Sequence, residues 1–317
     1  MNKTLADLYV DISIKRESES PLLRQGDIPI MSKGSLSLIS GKPKSRKTFF
    51  VASVAAAMIG ESPQLGMESV GVHKILWIDT EQSVSCFEKG IKRSLRMAGI
   101  SDAKNDSLLI PLSFASISTE DRTAKLEEAI VAYKPELVII DGIRDLLYDF
   151  NDIKETAKLK DLIIGLYQTY NLHICCVIHQ NKADKNARGH LGGEFTNKAE
   201  TVFLLESIDD KTIVTPGQCR NKPFNEFAFV INEKAETERV SIYHISRKKS
   251  RLTQELKQIF IGKEDLRYTE ITSLLQAAMH VAKKTAEKYL KEAMDEGMIE
   301  KNQSDKYTLS KGISKED

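Results

Sequence analysis

One eight-residue stretch constrains this chain more than any other: Gly41-Lys42-Pro43-Lys44-Ser45-Arg46-Lys47-Thr48. It follows SLSLIS at 35–40, which alternates with the period of a strand, and it opens FFVASVAAAMIG at 49–60, an apolar stretch of helical character. A strand that runs through a glycine-led loop into a helix brings three things to one place. These are main-chain N–H donors, the positive end of a helix and a lysine, and together they are what a phosphate chain needs. The Thr48 hydroxyl is spaced to reach a Mg²⁺ ion on those phosphates. One position departs from the usual pattern: Arg46 stands where a glycine normally precedes the lysine. A left-handed backbone is costly for arginine, so Arg46 either points outward or adds charge near the ligand. The phosphate-binding set is therefore Gly41, Lys42, Pro43, Lys44, Ser45, Arg46, Lys47, Thr48 and Phe49.

The surrounding pattern predicts the scaffold. KILWID (74–79), LVIID (137–141), HICCVIH (173–179) and TVFLLE (201–206) are short, continuously apolar and bounded by polar residues. Continuous apolarity fits strands buried on both faces, as in a parallel sheet. Helical stretches at 83–98, 119–133 and 153–170 lie between them, so the class is α/β. Runs near 211–216, 226–232 and 239–245 read as antiparallel strands at one edge. The expected division is a leader at 1–34, a nucleotide domain at 35–245, a basic linker at 246–263 and a small unit at 264–317.

Composition excludes several classes. With 41% hydrophobic and 29% charged residues, the chain is not collagen-like, mucin-like or wholly disordered. Its 46 Lys+Arg against 45 Asp+Glu leave a net charge of +1, so any nucleic-acid contact must come from a local patch. The longest apolar run is shorter than the roughly 18–20 residues that span a bilayer, and the mixed charges of MNKTLADLYVDISIKRESES do not read as a signal peptide. No membrane partner is expected. Cys86, Cys175, Cys176 and Cys219 form no CxxC pair, which suits a reduced cytoplasmic protein without structural zinc.

Ligands of open α/β sheets sit at the carboxyl ends of the strands. Asp141 ends LVIID and is the candidate Mg²⁺ carboxylate, with Thr48 as the second metal ligand. Asp79-Thr80-Glu81 follows KILWI; Glu81 is positioned to orient and polarise an attacking water, and Asp79 supports it or is structural. In this order and spacing the motifs resemble the RecA-like ATPases over roughly residues 20–245. They resemble especially the branch of RepA-type replicative helicases and related hexameric ATPases.

That resemblance implies a mostly parallel sheet flanked by helices, with ATP and Mg²⁺ as ligands and Lys47 and Glu81 as catalytic residues. It implies a γ-phosphate sensor at His179 or Gln180, and a glycine-containing loop at 182–195 facing single-stranded DNA. Lys182, Lys185 and Arg188 would contact phosphates there. Arg220, in QCRNKP, falls on the arginine that reaches a neighbour's nucleotide in a homo-oligomer, possible as a hexamer. Gln218 replaces the usual lysine of that hairpin.

Residues 264–310 are laid out as helix, turn, helix and hairpin and resemble a winged helix-turn-helix. Its second helix, starting near Val281, carries an inner stripe of Ala282, Ala286, Tyr289, Leu290 and Ala293. Lys283, Lys284 and Lys288 lie mainly outside that stripe and would face double-stranded DNA. Neighbouring acids leave protein contacts as the alternative. The leading expectation is a DNA-associated ATPase, such as a RepA-like helicase or remodelling protein of a plasmid or mobile element. The rivals are an ATP-dependent DNA-binding regulator with little turnover, and a metabolic kinase.

Overall fold

The computed structural model describes residues 20–100, 108–180, 189–208, 210–241, 243–302 and 304–310, with Tyr9, Ser13 and Ala187 besides; over 243–250 it describes the backbone. The chain divides into two units, Met1–Val240 and Ser241–Asp317.

The first unit is built on a nine-stranded sheet. Its parallel part comprises β3 (Ser35–Gly41), β5 (Ile75–Asp79), β6 (Leu109–Ser113), β7 (Leu137–Asp141), β8 (His173–His179) and β9 (Thr201–Ile208). Their order across the sheet is β9-β3-β8-β7-β5-β6. Beyond β9 the sheet continues antiparallel through β10 (Lys211–Cys219), β11 (Phe227–Ile231) and β12 (Thr237–Val240).

Side chains of the parallel strands divide by the strand period. Ile39, Trp77, Ile139, Cys175, Val177 and Phe203 pack on one face. Leu38, Ile78, Ile140, Cys176 and Ile178 pack on the other. On the first face lie α1 (Lys47–Ile59) and α2 (Val84–Met97). On the second lie α3 (Thr119–Tyr133), α4 (Ile153–Thr169) and α5 (Gly189–Lys198). Burial on both faces explains why these strands read as unbroken apolar runs. The Ser118 hydroxyl accepts from Asp121 N and starts α3, and Asp152 does the same for α4 from Glu155 N.

Three sequence expectations meet differences here. The leader at 1–34 contains β1 (Pro21–Gln25) and β2 (Ile28–Ser32), which form a small sheet with β4 (Glu68–Ser69). Leu22, Leu23, Ile30 and Met31 belong to the core around α1, so this stretch is structural. The strand β6 has no counterpart among the expected runs because Pro111 interrupts its pattern; it is the outermost strand, where proline is tolerated. The strand expected at 239–245 stops at Val240, and α6 (Tyr243–Ile259) crosses most of the expected linker.

In the second unit, α6 is followed by α7 (Tyr268–Met279), α8 (Lys283–Asp295) and a hairpin of β13 (Ile299–Lys301) and β14 (Tyr307–Leu309). Leu252, Leu256, Ile271, Leu275, Leu290 and Tyr307 form its core. Glu270 caps the start of α7 by accepting from Arg267 N. Ala286, Leu290 and Ala293 are buried on α8, but Ala282 precedes the helix as its exposed N-cap and is not part of the inner stripe. Among the described residues no helix is long and apolar enough to cross a membrane.

Phe50 sits at the centre of the α1 packing, with ring centroids 5.3 Å from Phe203, 6.1 Å from Phe227 and 6.4 Å from Phe229. It joins the phosphate-loop helix to both the parallel and antiparallel parts of the sheet. Phe50→Ala is expected to lower the unfolding free energy by about 3–5 kcal/mol in urea denaturation; a loss below about 1 kcal/mol would mean that this cluster does not hold the unit together.

Candidate functional site

Parallel register builds the site before any side chain is considered. Gly41 pairs with His179, and Asp79 pairs with Asp141, so four strand ends lie along one edge of the sheet. The 41–48 loop turns over this edge. A Cβ on Gly41 would stand 2.3 Å from Ser45 Oγ and 2.8 Å from Leu205 O, so only glycine lets the loop fold back this tightly. Lys44 and Arg46 are both left-handed, with φ of 67° and 64°. A loop that turns left-handed at such positions forms a concavity of N–H groups suited to anions. Ser45 Oγ is buried there without a hydrogen-bond partner.

Arg46 thus adopts the backbone that glycine usually supplies, at a cost of about 1–2 kcal/mol. Its guanidinium donates to Thr212 Oγ1 on β10 at 3.1 Å, and it also lines the cleft beside the loop. The side chain therefore ties the loop to the sheet and brings charge to the ligand's side.

Lys47 is only 8% exposed. Its Nζ donates to Gly41 O at 2.9 Å and Lys42 O at 3.1 Å, and lies 3.1 Å from His179 Nδ1. Burial lowers its pKa to about 8, against the opposing pull of Asp141 and Glu81. An ammonium held this way over carbonyls is ready to turn to phosphate oxygens.

The acids divide their labour. Asp79 is fully buried, and its carboxylate accepts from Glu81 N, Gln82 N and the Gln82 amide. It shapes the turn that carries Glu81. Glu81 Oε1 lies 3.7 Å from His179 Nε2. That contact holds the Glu81 carboxyl below its usual range, with Lys47 and Arg144 helping. Gly142, at φ 109°, leaves the space that Thr80 and Glu81 occupy: a Cβ there would meet Thr80 Oγ1 at 2.3 Å and Glu81 Cγ at 3.1 Å. Asp141 Oδ2 accepts from Thr48 Oγ1 at 3.3 Å. Burial, then the Asp79 and Glu81 charges, push the Asp141 carboxyl up to about 7. The buried Asp141 carboxylate beside a threonine hydroxyl offers hard oxygen donors of the kind Mg²⁺ takes alongside phosphate and water oxygens. Thr48 and Asp141 would hold it.

These groups line a cleft of about 480 Å³, together with Phe49, Cys86, Lys89 and Arg93. Arg93 stacks over the Phe49 ring at 3.8 Å and donates to Ala235 O. Of this wall Phe49 is expected from the sequence, whereas Cys86, Lys89 and Arg93 are not. Their signal was there in the helical spacing of 86, 89 and 93 directly after the acidic strand end.

Not every expected residue joins the cleft. His179 lines it, whereas Gln180 is buried and supports the loop through its backbone N, which donates to Gly41 O at 3.2 Å. Arg220 lies elsewhere: Cys219 pairs with Thr201, which pairs with Ser37, placing Arg220 toward the opposite edge of the sheet. Lys182, Lys185 and Arg188 fall outside the described residues. The expected loop at 182–195 is helical from Gly189 onward, as α5. In the second unit Lys283, Lys284 and Lys288 are exposed, with Lys288 3.8 Å from Glu292.

A family model described as an AAA domain matches residues 11–185, more than half of the chain. No curated protein matches. The matched segment contains the phosphate loop, both acidic strand ends and the His179 strand end.

The geometry makes the cysteines reporters of this cleft. Cys86 is exposed and lines it, while Cys175 and Cys176 are buried, the Cys175 thiol pushed up to about 12 by burial. In mass-spectrometric alkylation, Cys86 is expected to react in the free protein and to slow at least about fivefold under saturating Mg-nucleotide, while Cys175 and Cys176 react only on unfolding. An unchanged Cys86 rate would place the nucleotide elsewhere.

Proposed function

The chain belongs to this AAA domain family and is a nucleotide-hydrolysing ATPase of that type; we propose that it works as an oligomer on DNA, as a RepA-like helicase or remodelling protein of a plasmid or mobile element. One observation carries the reading. Lys47, Thr48, Glu81, Asp141 and His179 share one cleft, while Arg220 stands toward the opposite edge of the sheet, away from its own cleft. An arginine so placed is of use to nucleotide chemistry only across a subunit boundary.

In this reading Lys47 Nζ leaves the Gly41 and Lys42 carbonyls for the outer phosphate oxygens. The loop N–H groups and the start of α1 hold the inner ones. Mg²⁺, when bound by Thr48 and Asp141, supplies neutralisation of phosphate charge. The Glu81 carboxylate accepts a hydrogen bond from the attacking water and aims it at the terminal phosphorus. Its charged form is favoured by His179, the residue that also touches Lys47, so His179 is the better sensor of phosphate occupancy. Arg220 of an adjoining copy adds charge to the transferring phosphoryl group.

The DNA part rests on charge and pattern. Lys182, Lys185 and Arg188 would contact single-stranded DNA. The second unit, read as a winged helix-turn-helix, would lay Lys283, Lys284 and Lys288 against duplex phosphates. A regulator with little turnover is the second reading, favoured by Gln218 where ring helicases carry lysine. ATPase assays with and without single-stranded and duplex DNA, joined to a strand-separation assay, distinguish the two.

Glu81→Gln is expected to keep nucleotide affinity and lower turnover by about 10²–10⁴-fold; unchanged hydrolysis removes Glu81 from the chemistry. Arg220→Ala and Lys47→Ala subunits, each inactive alone, are expected to regain turnover when mixed. A mixture that stays inactive counts against the shared site.

A further inference from the structure

The turn that carries Arg220 is anchored in a way that ordinary strand pairing does not require. The β10–β11 ladder runs from Lys211↔Val230 to Val214↔Phe227. Past that point β10 continues on β9 alone, so the segment from 220 to 226 leaves the sheet and must find its own hold. Three contacts supply it at one end, all to residues 198–200. Arg220 N donates to Glu200 O at 2.9 Å. Arg220 Nη2 donates to Lys198 O at 2.8 Å. Asn221 Nδ2 donates to the Glu200 carboxylate at 3.3 Å. At the other end, Asn225 exchanges two hydrogen bonds with the Gln25 side chain, at 2.7 and 3.0 Å.

Glu200 is itself immobilised. It is 2% exposed, and its two oxygens accept from Ser32 N at 2.9 Å, Ser32 Oγ at 2.7 Å and Ser35 Oγ at 2.6 Å. Those donors come from the ends of β2 and β3, at the base of the sheet. A buried carboxylate is stable only when its hydrogen bonds are made, and here the core donors already make three. The fourth comes from an exposed asparagine on the arginine's own turn.

We propose that Asn221 and Glu200 are positioning residues for Arg220: they fix its main chain at the base of the sheet so that its guanidinium is presented to an adjoining copy. The inference rests on the reading of Arg220 as a residue shared between subunits. A loose turn would spread the guanidinium over many positions, and a misplacement of about 1 Å in a reacting assembly can cost on the order of 10²-fold in rate.

The experiment uses the full chain with saturating Mg-ATP. Asn221→Ala alters an exposed side chain and is expected to leave the melting temperature and nucleotide affinity unchanged while lowering kcat about tenfold. The double variant Asn221→Ala/Arg220→Ala is expected to be no slower than Arg220→Ala alone. Mixing Asn221→Ala subunits with Lys47→Ala subunits, whose arginine turn is intact, is expected to restore turnover; a defect of folding would not be rescued in this way. Glu200→Gln, checked for folding by circular dichroism, is expected to follow the same pattern. If Arg220→Ala is slow but Asn221→Ala is normal, or if the two losses multiply, the positioning role is overturned and the shared-site reading stands. If Arg220→Ala itself turns over at the full rate, both fall together.

Discussion

The parallel hydrogen-bond ladder is what everything else in the nucleotide unit depends on. Because β3, β8, β7 and β5 run the same way in fixed register, Gly41, His179, Asp141 and Asp79 arrive along one edge without any contact among them having to arrange it. A slip of one residue in any strand would send its terminal side chain to the other face of the sheet. The two cores prevent such slips. Each strand commits alternate residues to separate apolar clusters, and neither cluster accepts the other's polar ends.

Within that edge, competing electrostatic effects set the state of the groups. At Asp141, burial and the charges of Asp79 and Glu81 outweigh the hydrogen bond from Thr48 and the attraction of Lys47, and the carboxyl rises to about 7. At Glu81, which is nearer water, the contact with His179 outweighs burial and the carboxyl falls. Two acids at or just beyond adjacent strand ends are thereby driven in opposite directions, Asp141 by burial and its carboxylate neighbours and Glu81 by its contact with His179. The deep carboxyl is the more readily protonated of the two, and the shallow one stays ionised.

The strands with unbroken apolar runs were legible in the sequence, and so were the helices between them, because double burial leaves a continuous signature. The phosphate loop and the acidic ends were legible for a different reason: their chemistry demands particular residues at particular spacings. What escaped was whatever lacked such a signature. β6 hides behind Pro111. β1 and β2 look like a polar leader because only a few apolar residues of each face the core. The helix α6 reads as a linker because its basic residues at 246–251 obscure the apolar positions Leu252, Leu256 and Ile259. Which of His179 and Gln180 lines the cleft is not legible in the sequence. Adjacent residues of a strand point opposite ways, and only the sheet's orientation says which one faces the cleft.

The placement of Pro111 has a bearing on how copies of this unit can meet. A strand at the rim of a sheet normally offers a row of free donors and acceptors that another chain can extend. Here the outermost parallel strand is five residues long and lacks an N–H at its midpoint. Continuous sheet growth from this rim is therefore disfavoured, and any chain that meets it has to use side chains, where charge and shape select the orientation.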